Sequence, residues 1–187
     1  MMLLRSFIPP LGMLLLSAGQ GGTEELLIDR SEIRFGGRHA GRNVDGRFRR
    51  WKANVVFLPK HLSRSKAELD VDLSSMDLAN DEIEAELKRP EWLDTGAFPM
   101  AHFESTSIRS LGQDRYEVHG KLTIKGLTRD VSGPVVLKKD AAGNNVAEGS
   151  FPLRRADFDI GDDGDGAPPL LASEVTIRLR LVLPPVK

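Results

Sequence analysis

The chain of 187 residues contains no cysteine. Disulfide bonds, thiolate nucleophiles and cysteine-ligated metal sites are therefore excluded. Net charge is also nearly absent, because 26 lysines and arginines are balanced by 27 aspartates and glutamates, so no positive excess marks a nucleic-acid-binding protein. With one tyrosine and two tryptophans, the sequence lacks the aromatic girdles of an outer-membrane barrel.

Long apolar runs are scarce, and the one near the start of the chain is short. Arg5 precedes an apolar run over residues 7–16, and small and polar residues follow at 17–21. This order is typical of a secretory signal peptide, and Pro9 and Pro10 argue against a membrane-spanning anchor. We predict a signal peptide over residues 1–19 and a single domain over 20–187 that is periplasmic or secreted. The alternative is a start codon assigned too early in a cytoplasmic protein.

Most of the remaining chain alternates apolar and polar residues, which is typical of strands with one buried face. In one strand the alternation changes phase near Arg49 and Arg50, where a β-bulge is expected. The eight predicted strands cover residues 28–35, 44–57, 67–73, 101–108, 115–125, 128–137, 146–153 and 174–183.

A helical pattern interrupts the strands at residues 78–87, between the third and fourth, with Ser74 and Ser75 as candidate caps and Pro90 at its end. We therefore predict an all-β fold, an eight-stranded antiparallel barrel with a short helical insert. The alternative is a sandwich of two sheets. The interior of an eight-stranded barrel is filled by side chains or holds one small ligand.

Several short motifs occur in the order and spacing of a known family. The most specific is GKLTIKGLT at residues 120–128. The others are Val44-Asp45-Gly46-Arg47-Phe48, Ser75-Met76-Asp77, PEWLD at 90–94, FPMAHFEST at 98–106 and RADFDIG at 155–161. Through these motifs the chain resembles the YceI-like family from about residue 27 to residue 183.

The resemblance implies a lipocalin-like eight-stranded barrel, usually periplasmic, whose elongated apolar cavity binds a polyisoprenoid or a similar long-chain amphiphile. It implies no shared catalytic centre. One departure concerns the helical insert, where Ile83-Glu84-Ala85-Glu86-Leu87 stands in place of the common Arg-Asp-x-His-Leu. No role of that arginine or histidine carries over, so the headgroup preference stays open.

The functional hypothesis is thus a non-enzymatic carrier, storage or stress-related protein that binds a long-chain isoprenoid or fatty amphiphile. The alternative is a structural or stress-protective module whose closed core holds no lipid. Transient membrane contact through the basic cluster Arg47, Arg49, Arg50 and Lys52 is a further hypothesis. The sequence leaves both monomer and dimer open.

The apolar face of each predicted strand should line the cavity. His39, which matches a family position near the end of the first strand, is expected to make a structural hydrogen bond, with contact to a polar headgroup as the alternative. The predicted lining residues are Ile33, Phe35, Phe48, Trp51, Val55, Leu69, Val71, Phe103, Leu122, Ile124, Val135, Phe151, Val175, Ile177 and Leu179.

No metal site, cofactor or catalytic centre is predicted. The four histidines lack the spacing of metal ligands. A hairpin in which Ser110 faces Arg115 places His119 opposite Thr106, away from His102. The acidic loop over residues 159–166 lacks the carboxylate that a calcium loop needs at its twelfth position, which is Ala172. No Gly-x-Ser-x-Gly nucleophile motif occurs.

Overall fold

The computed structural model describes residues 26–39, 42–161 and 171–185. The signal peptide predicted over residues 1–19 lies outside these ranges, as does most of the acidic loop. No helix within the described ranges is long and apolar enough to cross a membrane.

Ten strands, all paired antiparallel, form one curled sheet in the described part of the chain. The sheet is a half-barrel in the order β3-β4-β6-β7-β8-β9-β10-β1-β2-β5. A single sheet rules out the two-sheet sandwich. The elements are β1 (Glu32–His39), β2 (Arg42–Phe48), β3 (Trp51–Val56), β4 (Lys66–Asp72), β5 (Met76–Leu78), α1 (Asp81–Leu87), β6 (Met100–Gly112), β7 (Arg115–Ile124), β8 (Leu127–Lys139), β9 (Asn145–Arg154) and β10 (Glu174–Leu183).

The count of ten strands differs from the predicted eight for two reasons. The long second strand is divided at Arg49 and Arg50, whose backbone N–H groups donate to the carbonyl oxygen and the hydroxyl of Ser75, at 3.0 and 2.9 Å. A bend in the chain, rather than a bulge within one strand, thus accommodates the change of phase. The short strand β5, which follows a 3-10 turn at Leu73–Ser75, was not predicted.

The helix α1 is shorter than predicted and lies between β5 and β6. Its N-cap is Asn80, whose side-chain oxygen accepts a hydrogen bond from the Ile83 N–H at 3.0 Å. The predicted caps Ser74 and Ser75 are wrong, because both residues belong to the 3-10 turn before β5. Acidic residues in the first helical turn complement the helix dipole.

Two-residue turns join the longest strands and set their register. Lys125 and Gly126, with φ of 49° and 76°, connect β7 to β8, as a type I′ turn requires. The turn between β6 and β7 is Gln113 and Asp114, also with positive φ. The β6–β7 ladder pairs Ser110 with Tyr116 and is irregular between Ser110 and Gly112, so His119 lies opposite Ser107 rather than Thr106, and the predicted hairpin register was wrong there.

Antiparallel strands run alternately up and down, so the connections gather at two ends. The upper end carries α1, residues 88–99, the β7–β8 turn and residues 155–161. The lower end carries residues 57–65 and the β6–β7 and β8–β9 turns. At the upper end, side chains from outside the strands, including Leu87, Trp92 and Phe158, are buried with strand residues in two apolar clusters.

Candidate ligand cavity

Register brings the predicted apolar faces together on the inside of the curled sheet. Ile33 lies directly opposite Leu179, and Ile177 lies between Phe35 on one neighbouring strand and Phe151 on the other. Residues directly opposite in an antiparallel pair point to the same face, so these side chains share one interior. The alternation seen in the sequence therefore becomes a continuous apolar wall.

Two adjoining cavities occupy this interior. The upper cavity has a volume of about 180 Å³ and the lower cavity about 80 Å³. Along β10, Val175 and Ile177 line the upper cavity, Leu179 lines both, and Leu181 lines the lower cavity. The same succession from upper to lower holds along β4, β6 and β9, so the two cavities follow one another along the strands.

The structure places every predicted lining residue except Trp51 on one of these cavities. Trp51 lies opposite Val71 in register but lines neither cavity. The upper cavity contains Ile33, Phe35, Phe48, Leu69, Val71, Phe103, Leu122, Ile124, Phe151, Val175, Ile177 and Leu179, and the lower contains Val55 and Val135 together with the shared Leu69, Phe103, Phe151 and Leu179.

The interior is hollow. Phe48, Val71, Phe103 and Leu122 point inwards yet are only half-buried, since part of each faces empty space rather than other atoms. The side chains that line both cavities are overwhelmingly apolar. A space of this kind offers no polar partners for water and suits a hydrocarbon.

Strand alternation missed the residues that close the upper cavity. These residues come from the insert and from loops, where no two-residue period exists. The family motifs at 90–94 and 155–161 were the signal that could have found several of them. They are Leu87, Trp92, Leu93, Phe158, Ile160 and Leu171.

A buried arginine holds this closure together. Arg155 is 8% exposed, and its guanidinium donates to the carbonyl oxygens of Ile160, Gly161, Leu171 and Ala172 at 2.7–2.9 Å. Its charged head also lies 4.9 Å from the ring centre of Trp92. One side chain thus connects the segment after β9, the segment before β10 and the loop that contains Trp92. We call these three segments, residues 88–99, 155–161 and 171–173, the lid.

Interior glycines make room for two phenylalanine rings. The ring of Phe103 lies so close to Gly120, and that of Phe151 so close to Gly133, that an added Cβ at either glycine would collide with it. Each ring therefore packs directly on the backbone of a neighbouring strand.

The wall is not equally hydrogen-bonded all round. The β8–β9 ladder runs from Lys139 opposite Asn145 up to Val135 opposite Gly149 and ends there. Above that point β8 continues to Leu127 and β9 to Arg154 without pairing to each other. Both unpaired stretches contain a proline, Pro134 and Pro152, which cannot donate to a ladder.

Of the described histidines, only His102 is among the residues that line a cavity, the upper one. His39 ends β1 opposite Arg42 and lines neither cavity, so headgroup contact stays a prediction. His102 pairs with Asp70 at 2.7 Å, and His119 pairs with Glu117 at 3.0 Å. Among the described residues, no group of three or more histidines and carboxylates could hold a metal ion.

Arginines at the bend between β2 and β3 are ion-paired. The Asp77 carboxylate accepts from Arg47 at 2.7 Å and from Arg49 at 3.0 Å, and these contacts hold its pKa below the ordinary value. The pKa of Asp72 is lowered first by the Ser74 hydroxyl and then by Arg50. Most of the basic cluster is therefore neutralised, and its proposed membrane contact stays a hypothesis.

Comparisons with known proteins agree with this geometry. A family model described as a YceI-like domain matches residues 26–183. A UPF0312 protein from Azotobacter vinelandii is 30% identical over 167 residues, which span 82% of this chain and 85% of that relative. A second UPF0312 protein, VPA0850 from Vibrio parahaemolyticus, is 27% identical over 167 residues, which span 84% of this chain and 82% of that relative.

Two solved structures have the same fold. Burkholderia cenocepacia BcnA superposes with a TM-score of 0.76 at 28% identity, over 84% of this chain and 99% of that one. A polyisoprenoid binding domain from Saccharophagus degradans, implicated in plant cell wall breakdown, superposes with a TM-score of 0.64. At 14% identity, over 83% of this chain and 94% of that one, the second likeness shows the fold alone.

Proposed function

The chain belongs to the YceI-like family, and on that premise we propose that it binds the tail of a polyisoprenoid or similar long-chain amphiphile inside the curled sheet. The observation that carries this proposal is the apolar upper cavity of about 180 Å³. It exceeds the roughly 150 Å³ of an engineered apolar cavity that stays dry and binds benzene in another protein. A hydrocarbon segment therefore fits without a polar partner.

The energetics support a tail of several units. Each CH₂ removed from water contributes about 0.8 kcal/mol, so two or three isoprene units contribute on the order of 10 kcal/mol. Association and ordering cost roughly 4–15 kcal/mol, so shorter tails bind weakly. An apolar wall selects by length and width, so we expect a lipid class rather than one molecule.

The cavities also favour binding over a closed core without ligand. A core that serves only stability is packed to high density with few voids larger than a water molecule. Here the inward side chains of β4, β6, β9 and β10 leave two voids in succession. Leaving such voids unfilled forfeits packing energy, and an occupant recovers it.

A cavity-filling variant tests the proposal. Val71 is half-buried and lines the upper cavity alone, so Val71→Phe should weaken the binding of a prenyl alcohol by at least about tenfold. The fluorescence of Trp92, which lines that cavity, reports occupancy once Trp51→Phe has removed the chain's other tryptophan. Purified full chain stripped of lipid by organic solvent is the starting material.

The matched control is Val136→Phe. Val136 lies opposite Arg115 and Glu148 and lines neither cavity, so the same substitution there should leave the affinity unchanged. Equal affinity of Val71→Phe and the parent, or no binding by the parent, would refute the proposal.

The finer points of the fold belong to the same proposal. We count β2 and β3 as one bent strand, and β4 and β5 as another. The two bends lie side by side, because the pair Phe48 and Met76 is on one side of them and the pair Trp51 and Val71 is on the other. This count gives a lipocalin-like barrel of eight strands. His39, at the upper end of β1, is the proposed headgroup contact, and His39→Ala should change headgroup preference but not tail-length preference.

Export is proposed from the sequence of residues 1–19. Cleavage after Gly19 would release a chain that begins at Gln20, in the periplasm or outside the cell. Cell fractionation and N-terminal sequencing of the native protein test this point. A chain that retains Met1 in the cytoplasm would contradict it.

A further inference from the structure

Four side chains separate the two cavities. Leu69, Phe103, Phe151 and Leu179 each line both the upper and the lower cavity. Leu69 and Phe103 lie directly opposite each other on β4 and β6. Phe151 and Leu179 come from the neighbouring strands β9 and β10. We call these four residues the constriction.

The constriction is held by apolar packing alone. All four side chains are apolar, so moving one breaks no side-chain hydrogen bond. The Phe151 ring lies over Gly133 and Gly149, where an added Cβ on Gly149 would come within 2.8 Å of the ring. Phe103 and Phe151 are only half-buried and border empty space on two sides. A shift of either ring therefore exchanges one apolar contact for another.

The upper cavity alone is too small for a long tail. Its volume of about 180 Å³ falls below the roughly 300 Å³ at which small-molecule pockets begin. Along each of the strands β4, β6, β9 and β10, the lower cavity follows directly after the upper cavity. Its wall consists of residues such as Ile108, Leu137, Ala147 and Leu181.

We propose that the lower cavity is a second subsite, which receives the far end of the same tail after it has passed Phe103 and Phe151. The constriction then sets the tail length that the protein prefers. This inference rests on the proposed lipid binding and adds where the tail ends and which residues select its length.

The proposal predicts a stepped dependence of affinity on tail length. Each carbon that enters an apolar cavity contributes about 0.8 kcal/mol, which is about fourfold in affinity. Affinity should rise while the upper cavity fills, level off at the constriction, and rise again by at least about tenfold once the tail reaches the lower cavity. A single continuous cavity would give one smooth rise.

The chain offers a reporter for each cavity. Trp92 lines the upper cavity, and Tyr116, the only tyrosine, lines the lower cavity in edge-on contact with Phe57. NMR of the full chain labelled at tyrosine and tryptophan, titrated with prenyl alcohols of roughly two to eight isoprene units, separates the two events. Short alcohols should shift the Trp92 signal alone, and long ones should shift both.

Ala147→Leu blocks the lower subsite. Ala147 lies between Leu137 and Leu181 and lines only the lower cavity, so the larger side chain should remove the second rise and leave the affinity for short alcohols unchanged. The matched control Ala142→Leu, in the exposed β8–β9 turn, should keep both rises.

Phe151→Leu provides an independent variant if Ala147→Leu fails to fold. Removal of the ring should merge the two rises into one. If no alcohol shifts either signal, the proposed lipid binding itself is wrong. If Trp92 responds while Tyr116 stays silent at every length, or if Tyr116 responds equally to the shortest alcohol, lipid binding stands and the second subsite is wrong.

Discussion

The upper and lower halves of the interior are closed by different means. The lower cavity is lined by residues such as Val55, Tyr116 and Leu181, which lie on strands or directly follow one. The upper cavity depends on the lid, in which residues 88–99 meet residues 155–161 and 171–173 from much later in the chain. Ladder hydrogen bonds therefore secure the lower half, whereas the upper half depends on Arg155, on apolar side chains and on a few loop hydrogen bonds, such as that from the Gly161 N–H to the Glu91 carbonyl oxygen at 2.8 Å.

This difference matters for the proposed binding of a lipid tail. A wall made of paired strands cannot open locally without breaking its ladder, whereas a lid held by Arg155 and a few loop hydrogen bonds can loosen as a unit. Access to the upper cavity should therefore depend on the lid, and retention of a long tail on the strand wall beneath it.

Loss of the lid arginine should have the largest effect. Arg155→Met keeps much of the side-chain volume but leaves four carbonyl oxygens without their donor, so we expect about 3 kcal/mol or more of lost stability. Chemical denaturation measures the loss. The exposed neighbour Arg154 supplies the control, since Arg154→Met should cost less than about 0.5 kcal/mol.

The same variant tests whether the two halves are independent. Amide exchange should accelerate in residues 88–99 and 155–161 of Arg155→Met and stay slow in the lower parts of β6 to β10. Uniform acceleration over the whole sheet would show that the lid and the wall unfold together, and would contradict a lid that loosens independently of the wall.

A smaller effect is expected where a glycine admits a ring. In Gly120→Ala the new methyl group would meet the Phe103 ring and the Glu104 carbonyl oxygen, so overpacking should cost about 1–3 kcal/mol. Gly96→Ala, where nothing lies within 4 Å, is the matched control and should be neutral or slightly stabilising. Thermal unfolding of both variants decides the point, and equal costs would contradict the close approach.

The smallest effect should appear in acid, at the bend beside the upper cavity. The Asp72 carboxylate accepts from the Ser74 hydroxyl at 2.6 Å, from the Ser74 N–H at 2.9 Å and from Arg50 at 2.9 Å, and its pKa is lowered. Since the folded-state pKa lies below the unfolded value of about 4, this stabilisation is present above that value and disappears as the pH falls through the folded pKa.

Asp72→Asn should therefore cost up to about 1 kcal/mol near neutral pH and almost nothing in strong acid. Denaturation of the parent and the variant across the acid range measures the difference. A cost that is the same at every pH would show that the charge of Asp72 contributes nothing.

Sequence patterns predicted the wall well because the wall obeys a local rule. The alternation of Val175, Ile177 and Leu179 needs only neighbouring residues to be visible, and the structure places all three on the upper cavity. The change of phase near Arg49 was also visible in the sequence, but whether a bulge or a bend accommodates it was not. The bend depends on hydrogen bonds to Ser75, which is distant in sequence.

The lid could not be predicted in the same way. In the sequence, Arg155 is one polar residue of the motif at 155–161. Nothing near it in the chain indicates that its guanidinium donates to the carbonyl oxygens of Leu171 and Ala172. The β6–β7 register at His119 was off by one because the irregularity between Ser110 and Gly112 leaves no mark in the alternation. Trp51 shows the converse, since alternation predicted it on the cavity wall and the structure places it opposite Val71 but on neither cavity.

The early end of the β8–β9 ladder gives the wall a seam. Above Val135 and Gly149 no inter-strand bond has to break for the two strands to move apart, whereas at every ladder pair separation would expose backbone donors and acceptors. If the proposed tail binds, swelling of the wall should therefore be concentrated along this line. The remaining strands can keep their register while the seam takes up the strain.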